Sequence, residues 1–146
     1  MKADKILFPT DFSTVSDEAL HYATMMARDS GAKLLIVHVE EPPLAYGGGD
    51  MYYGVPEPDT AAIHKMLTAL KPDDDRVAFE HRLIVGSPAD EIVELAKREN
   101  IDMIVMACHG RTGVMRFLMG SVAERVVREA PCPVLTVKHR AAVAAQ

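Results

Sequence analysis

Glycines at positions 110, 113 and 120 stand in one stretch with His109, Arg111, Ser121 and Val122, a set suited to holding an anion. Glycine adopts φ > 0 and lets a ligand reach the main chain without a Cβ in the way. Ser121 and Glu124 form the S-x-x-E signature that opens a helix, leaving other first-turn amides available to a negative group. The apolar run Asp102 to Met106 precedes this stretch, so the loop lies where a buried strand hands the chain to a helix. In open α/β proteins, phosphates bind at such places. A second element of the same kind, Pro9, Thr10, Asp11, Phe12 and Ser13, follows the run Lys5 to Phe8. Taken alone, Asp11 reads as a turn or helix-capping residue.

Four short apolar runs read as strands buried on both faces: Lys5 to Phe8, Lys33 to Val39, Asp102 to Met106 and Pro133 to Val137. A fifth, Val77 to Val85, carries polar residues on both faces and reads as an edge strand. Between them the spacing predicts four helices. The first runs from Ser16 to Ser30 and stops at Gly31; the second carries Ile63, Met66, Leu67 and Leu70 and closes before Pro72. The third starts with Ser87 as N-cap and Pro88 as first helical residue, and repeats Ala89, Ile92, Val93 and Ala96; the fourth carries Ala123, Val126, Val127 and Ala130 before Pro131. Strand and helix alternate throughout. That order implies a parallel sheet covered on both faces, with ligands at the carboxyl ends of the strands where the winding reverses.

The 146 residues, 49% hydrophobic and 25% charged, suit a single domain spanning 1–146. Residues 40–58, rich in Gly and Pro and holding Tyr46, Tyr52 and Tyr53, read as a long flexible loop, a lid or a dimer arm, and 141–146 as a frayed tail. A net charge of -5 without a basic cluster argues against nucleic acid as partner. No apolar run approaches the roughly 20 residues that span a bilayer, and no signal-peptide core follows Met1, so a cytoplasmic location without membrane attachment is expected. Cys108 follows one strand and Cys132 precedes the next; on neighbouring parallel strands they would sit at opposite ends, on the order of 17 Å apart, and remain free thiols. The histidines outside the glycine stretch lack metal-ligand spacing, and no structural zinc site is expected.

Neither G-x-x-x-x-G-K-[ST] nor a post-strand G-x-G-x-x-G occurs, which excludes the P-loop and the standard dinucleotide fingerprint. Pro9-Thr10-Asp11, Val39, Gly86-Ser87-Pro88-Ala89, His109-Gly110-Arg111, Gly120-Ser121-Val122 and Pro131-Cys132-Pro133-Val134 together resemble the universal stress protein family, from Lys5 to Val137. The resemblance implies an open, Rossmann-like α/β fold, five parallel strands in the order 3-2-1-4-5, with a nucleotide between the ends of strands one and four. ATP-binding members carry G-x-x-G-x9-G-[ST]. Here Gly110, nine residues and Gly120-Ser121 match, and Ala107 replaces the first glycine. The added methyl costs little if φ < 0 and strains the site if φ > 0.

Carried onto this chain, the resemblance implies a binding set of Pro9, Thr10, Asp11, Val39, Met106, Ala107, His109, Gly110, Arg111, Gly120, Ser121 and Val122. Asp11 would accept hydrogen bonds from the nucleoside, Val39 would offer backbone groups to adenine, and Met106 and Ala107 would line the ribose side. Gly110, Gly120, Ser121 and Val122 would give amides to the phosphates. Arg111 and Arg116 would neutralise charge or stay solvated; His109 would touch phosphate or Mg2+, or order the loop. The implied ligand is ATP, ADP or AMP, with Mg2+ as an optional companion. The implied assembly is a homodimer through Pro133 to Val137, acting on an unknown protein partner as a signalling or stress-response modulator. Without an evident catalytic set, at most slow ATP hydrolysis is expected. Two alternatives share the fold: a nucleotide-free dimeric interaction protein, and an adenylate-forming transferase-like enzyme.

Overall fold

Ile6, Leu7 and Phe8 alternate between the two faces of a strand, yet all three are buried, so both faces of β1 (Lys5–Pro9) are covered. The structure, a computed structural model, describes residues 2–42, 60–109 and 119–138. After β1 come α1 (Thr14–Ser30), β2 (Lys33–Glu40), α2 (Thr60–Thr68), β3 (Phe79–Val85), α3 (Pro88–Arg98), β4 (Met103–Ala107), α4 (Ser121–Glu129) and β5 (Val134–Val137). The strands form one parallel sheet in the order β3-β2-β1-β4-β5. The expected fold class and strand order are what the chain adopts. The expected long loop lies mostly outside the described residues, as do the tail and Tyr46, Tyr52 and Tyr53.

Each face of the sheet has its own apolar layer. Ile6, Phe8, Leu34, Ile36 and Val105 pack with Ala19, Leu20, Ala23 and Ala27 of α1 and Leu67 of α2. On the opposite face Leu7, Leu35, Val37, Ile104 and Met106 pack with Ile92, Val93, Leu95 and Ala96 of α3 and Ala123 and Val126 of α4. Small residues along α1 let its axis approach the sheet closely. Strand β3, at one edge, keeps only partial burial from Glu80 to Ile84, as its mixed pattern predicts.

Element ends differ from the sequence reading where side chains intervene. Helix α1 begins at Thr14 because Ser13 is its N-cap, its Oγ accepting from the Ser16 amide at 3.2 Å. Strand β3 starts at Phe79, because Val77 donates its amide to Asp74 in a turn that the Arg76 and Asp74 side chains close. Helix α2 ends at Thr68, whose hydroxyl bonds the carbonyls of His64 and Lys65. Ser87 holds the N-cap position of α3 as expected, without a side-chain capping bond.

At the amino end of the sheet, Asp102 Oδ2 accepts from the Asp4 and Lys5 amides at 2.8 and 3.0 Å, joining the starts of β4 and β1. These backbone bonds, helped by the charge of Lys5, hold the Asp102 carboxyl below the usual carboxylate range. A lowered folded-state pKa stabilises above the unfolded value and is lost as pH falls through the folded one. Asp102→Asn is therefore expected to cost stability above about pH 4 and to flatten the acid limb below it, measured by urea unfolding across pH. Gly31 caps α1 at φ 76°, with open space where a Cβ would stand. Gly31→Ala should therefore lose about 1 kcal/mol in the same measurement through backbone strain alone.

Candidate functional site

The β1-to-α1 connection turns sharply and is held by short-range hydrogen bonds. Thr10 continues the strand ladder by one bond, its amide donating to the Val37 carbonyl at 2.8 Å. The Thr10 hydroxyl then accepts from the Phe12 amide at 3.0 Å and from the Ser16 hydroxyl at 2.7 Å. Asp11 Oδ1 accepts from the Ser13 amide at 3.0 Å, the turn role its residue type allows. Phe12 adopts φ 65°, a left-handed conformation that costs a non-glycine residue on the order of 1 kcal/mol. It persists because its neighbours on both sides are fixed.

On the far side of the crevice, β4 delivers the chain to α4. Cys108 is buried, and its amide donates to Val137 while its carbonyl accepts from the Gly120 amide at 2.9 Å. Gly120 is the N-cap of α4, and its carbonyl accepts from the Glu124 amide. This corrects two expectations. Ser121 and Glu124 form no capping box, since the helix starts one residue earlier than that motif needs and Ser121 is already its first helical residue. The Gly120 amide is engaged by Cys108, which leaves the amides of Ser121, Val122 and Ala123 as the first-turn donors without an acceptor inside the helix.

Between these two connections lies a cleft of about 460 Å³, a size usual for small-ligand sites. Pro9, Thr10, Asp11, Val39, Met106, Ala107, His109, Gly120, Ser121 and Val122 line it, which brings together every sequence-predicted site residue that is described. Gly110, Arg111 and Arg116 lie outside the described residues. The cleft is also lined by Ser16, His38, Glu40, Glu41, Pro88, Ile92 and Ala123, none of which the sequence reading places at the site. Its charged groups are unevenly placed: Asp11, Glu40 and Glu41 are acidic, and no Lys or Arg is among the described lining residues.

His38 is the most telling addition. It is 4% exposed, its Nδ1 lies 2.7 Å from the Thr10 carbonyl, its Nε2 lies 2.7 Å from Glu40 Oε2, and its ring packs on Phe12 at 4.4 Å. A carbonyl only accepts, so Nδ1 carries the hydrogen given to Thr10, and Nε2 faces the Glu40 carboxyl. The sequence held a signal for this. One imidazole in an otherwise apolar strand must find partners when buried, and Glu40, two residues on, shares its face.

Ala107 ends β4 in extended backbone, paired with Val137, and positive φ among described non-glycine residues is confined to Phe12 and Asn100. The methyl therefore carries no backbone strain. Cys132 sits away from the cleft, its thiol pushed up by burial and by the charge of Asp102, which keeps it protonated and unreactive. Among the described residues, no cluster of three or more His, Cys, Asp or Glu side chains could hold a metal ion, and no helix is long and apolar enough to cross a membrane.

The model of the universal stress protein family matches residues 2–138. The chain belongs to this family. Among relatives, a universal stress protein of Methanocaldococcus jannaschii is 37% identical over 145 residues, covering 92% of this chain and 81% of the relative. Among solved structures, a universal stress protein in complex with cAMP is 28% identical with TM-score 0.70, covering 94% of this chain and 98% of that one. The universal stress protein from Archaeoglobus fulgidus in complex with dAMP is 26% identical with TM-score 0.68, covering 94% of this chain and all of that one, 100%.

Because the Ala107 backbone is already extended, Ala107→Gly should lower stability by about 0.5 kcal/mol in urea unfolding. A rise in stability would mean that this position prefers a conformation closed to alanine.

Proposed function

We propose that this universal stress protein binds an adenine nucleotide, ATP, ADP or AMP, in the cleft between the ends of β1 and β4. One observation carries the reading: the cleft has opposite chemistry at its two walls. Beyond Thr10, the backbone of Val39 faces the side that β1 has left, next to the Asp11 carboxylate, which suits a base and ribose that offer both donors and acceptors. At the other wall the first-turn amides of α4 and the Ser121 hydroxyl suit a phosphate. Met106, Ala107, Ile92 and Val122 supply apolar surface between them.

The cAMP and dAMP bound to the two related structures support the adenine part of this reading. Arg111 and Arg116, with Mg2+ as companion, would balance a triphosphate in a site whose described side chains are acidic. A homodimer through β5 fits the 37% exposure of Leu135 on that edge strand and 46% of Val127 on the adjacent helix. In this reading nucleotide occupancy modulates a protein interaction and is not turned over rapidly.

Denaturing the purified protein should release adenine nucleotide, identified by mass spectrometry, and the stripped protein should take up ATP with Mg2+ in calorimetric titration. No released nucleotide and no heat at millimolar ATP would sink the proposal. Gly120 has φ -64° and ψ 157°, open to any L-residue, so Gly120→Val should fold normally. Its side chain at the mouth of the α4 amides is expected to weaken ATP binding at least about tenfold, roughly one lost charge-assisted hydrogen bond. Ala107→Gly should leave that affinity equal or improved.

A further inference from the structure

In an uninterrupted parallel ladder the next rung after Thr10 to Val37 would use both backbone groups of Val39. Its amide would donate to the Thr10 carbonyl and its carbonyl would accept from the Phe12 amide. Both partners are diverted. The Thr10 carbonyl receives His38 Nδ1 at 2.7 Å, and the Phe12 amide turns to the Thr10 hydroxyl at 3.0 Å. Residues of β2 alternate in the neighbour they face: Lys33 and Val37 bond towards β1, while Leu34 and Glu40 bond towards β3. Val39 thus faces β1, and among the described residues nothing takes its amide. It is 8% exposed and lines the cleft.

We propose that His38 is a positioning residue of the site: its imidazole, aimed by Glu40, takes the Thr10 carbonyl and keeps the Val39 rung open for a ligand. Glu40 Oε2 fixes the ring at Nε2, which leaves Nδ1 pointing at Thr10. The same ring packs on Phe12 and so supports the left-handed residue that swings β1 away from β2. A strand end that would close by ordinary pairing is held apart by one side chain. This rests on the nucleotide reading for the identity of the ligand, not for the state of the rung.

The test compares three variants of the full chain, because each end of the ring can be imitated separately. Asparagine places its amide nitrogen near Nδ1 and keeps the Thr10 bond; glutamine reaches the Nε2 position and keeps Glu40; phenylalanine keeps neither. Amide exchange is followed by NMR at Val39, with Leu95 in α3 as a control for global opening, and ATP and AMP affinities are measured by calorimetry. His38→Phe and His38→Gln free the Thr10 carbonyl for the Val39 amide, so they should slow exchange at Val39 and weaken both nucleotides, each by about tenfold, with Leu95 unchanged. His38→Asn should stay within about threefold of the parent in both readouts.

Parent-like exchange at Val39 in His38→Gln, or an asparagine variant no closer to the parent than glutamine, would overturn the proposal. If His38→Phe does not fold, the asparagine and glutamine variants still decide it. A parent that binds neither ATP nor AMP would end the nucleotide reading, while the exchange comparison would still judge the role of His38.

Discussion

Strand β1 is covered on both faces and paired on both edges, and that double enclosure shapes the rest of the molecule. Its side chains divide between the layer of α1 and α2 and the layer of α3 and α4, so neither face can turn to solvent. With right-handed crossovers, the chain covers both faces by winding first towards β2 and β3, then back past β1 towards β4 and β5. The connections after β1 and β4 leave the sheet on opposite faces. The gap between them is a product of topology, a space that the packing makes whatever comes to fill it.

What fills that space is polar saturation of a very short segment. Thr10, Asp11, Ser13 and Ser16 satisfy one another and the amides of the turn within a few residues, which lets the main chain leave the sheet without burying unmatched groups. The left-handed Phe12 is affordable in this setting because it is over-determined: hydrogen bonds fix the residues beside it and an imidazole packs on its ring. Strain of this kind in a rigid frame aims a carboxylate more firmly than a relaxed loop would. The opposite wall works differently, through the geometry of a helix start, and needs little from its side chains.

Much of this architecture was legible because the strands are short, apolar and separated by helices with clear stops, such as Gly31 after α1 and Pro131 after α4. The misjudged boundaries share one cause. At Ser13, Asp74, Thr68 and Gly120, local side-chain or capping bonds override apolar periodicity, and periodicity is silent about them. The glycine spacing pointed to the end of β4, which borders the cleft, but not to the hydrogen bonds there; that Cys108 would engage the Gly120 amide depends on a contact across twelve positions of sequence. His38 was missed for a different reason. Metal-ligand spacing is silent about a lone imidazole, whereas its surroundings, a buried strand with a carboxylate two residues on, describe a hydrogen-bonded role.

The bond from the Gly120 amide to the Cys108 carbonyl joins the two ends of the segment between them. The cost of closing that excursion is already met by the sheet and by α4, and lengthening a closed excursion adds only slowly to its entropy. Residues between the two anchor points can therefore be exchanged, added or removed with little force transmitted to β4 or α4. Frame and segment are separable in evolution: one lineage could alter the length and charge of the segment while the helix start and the sheet stay where they are.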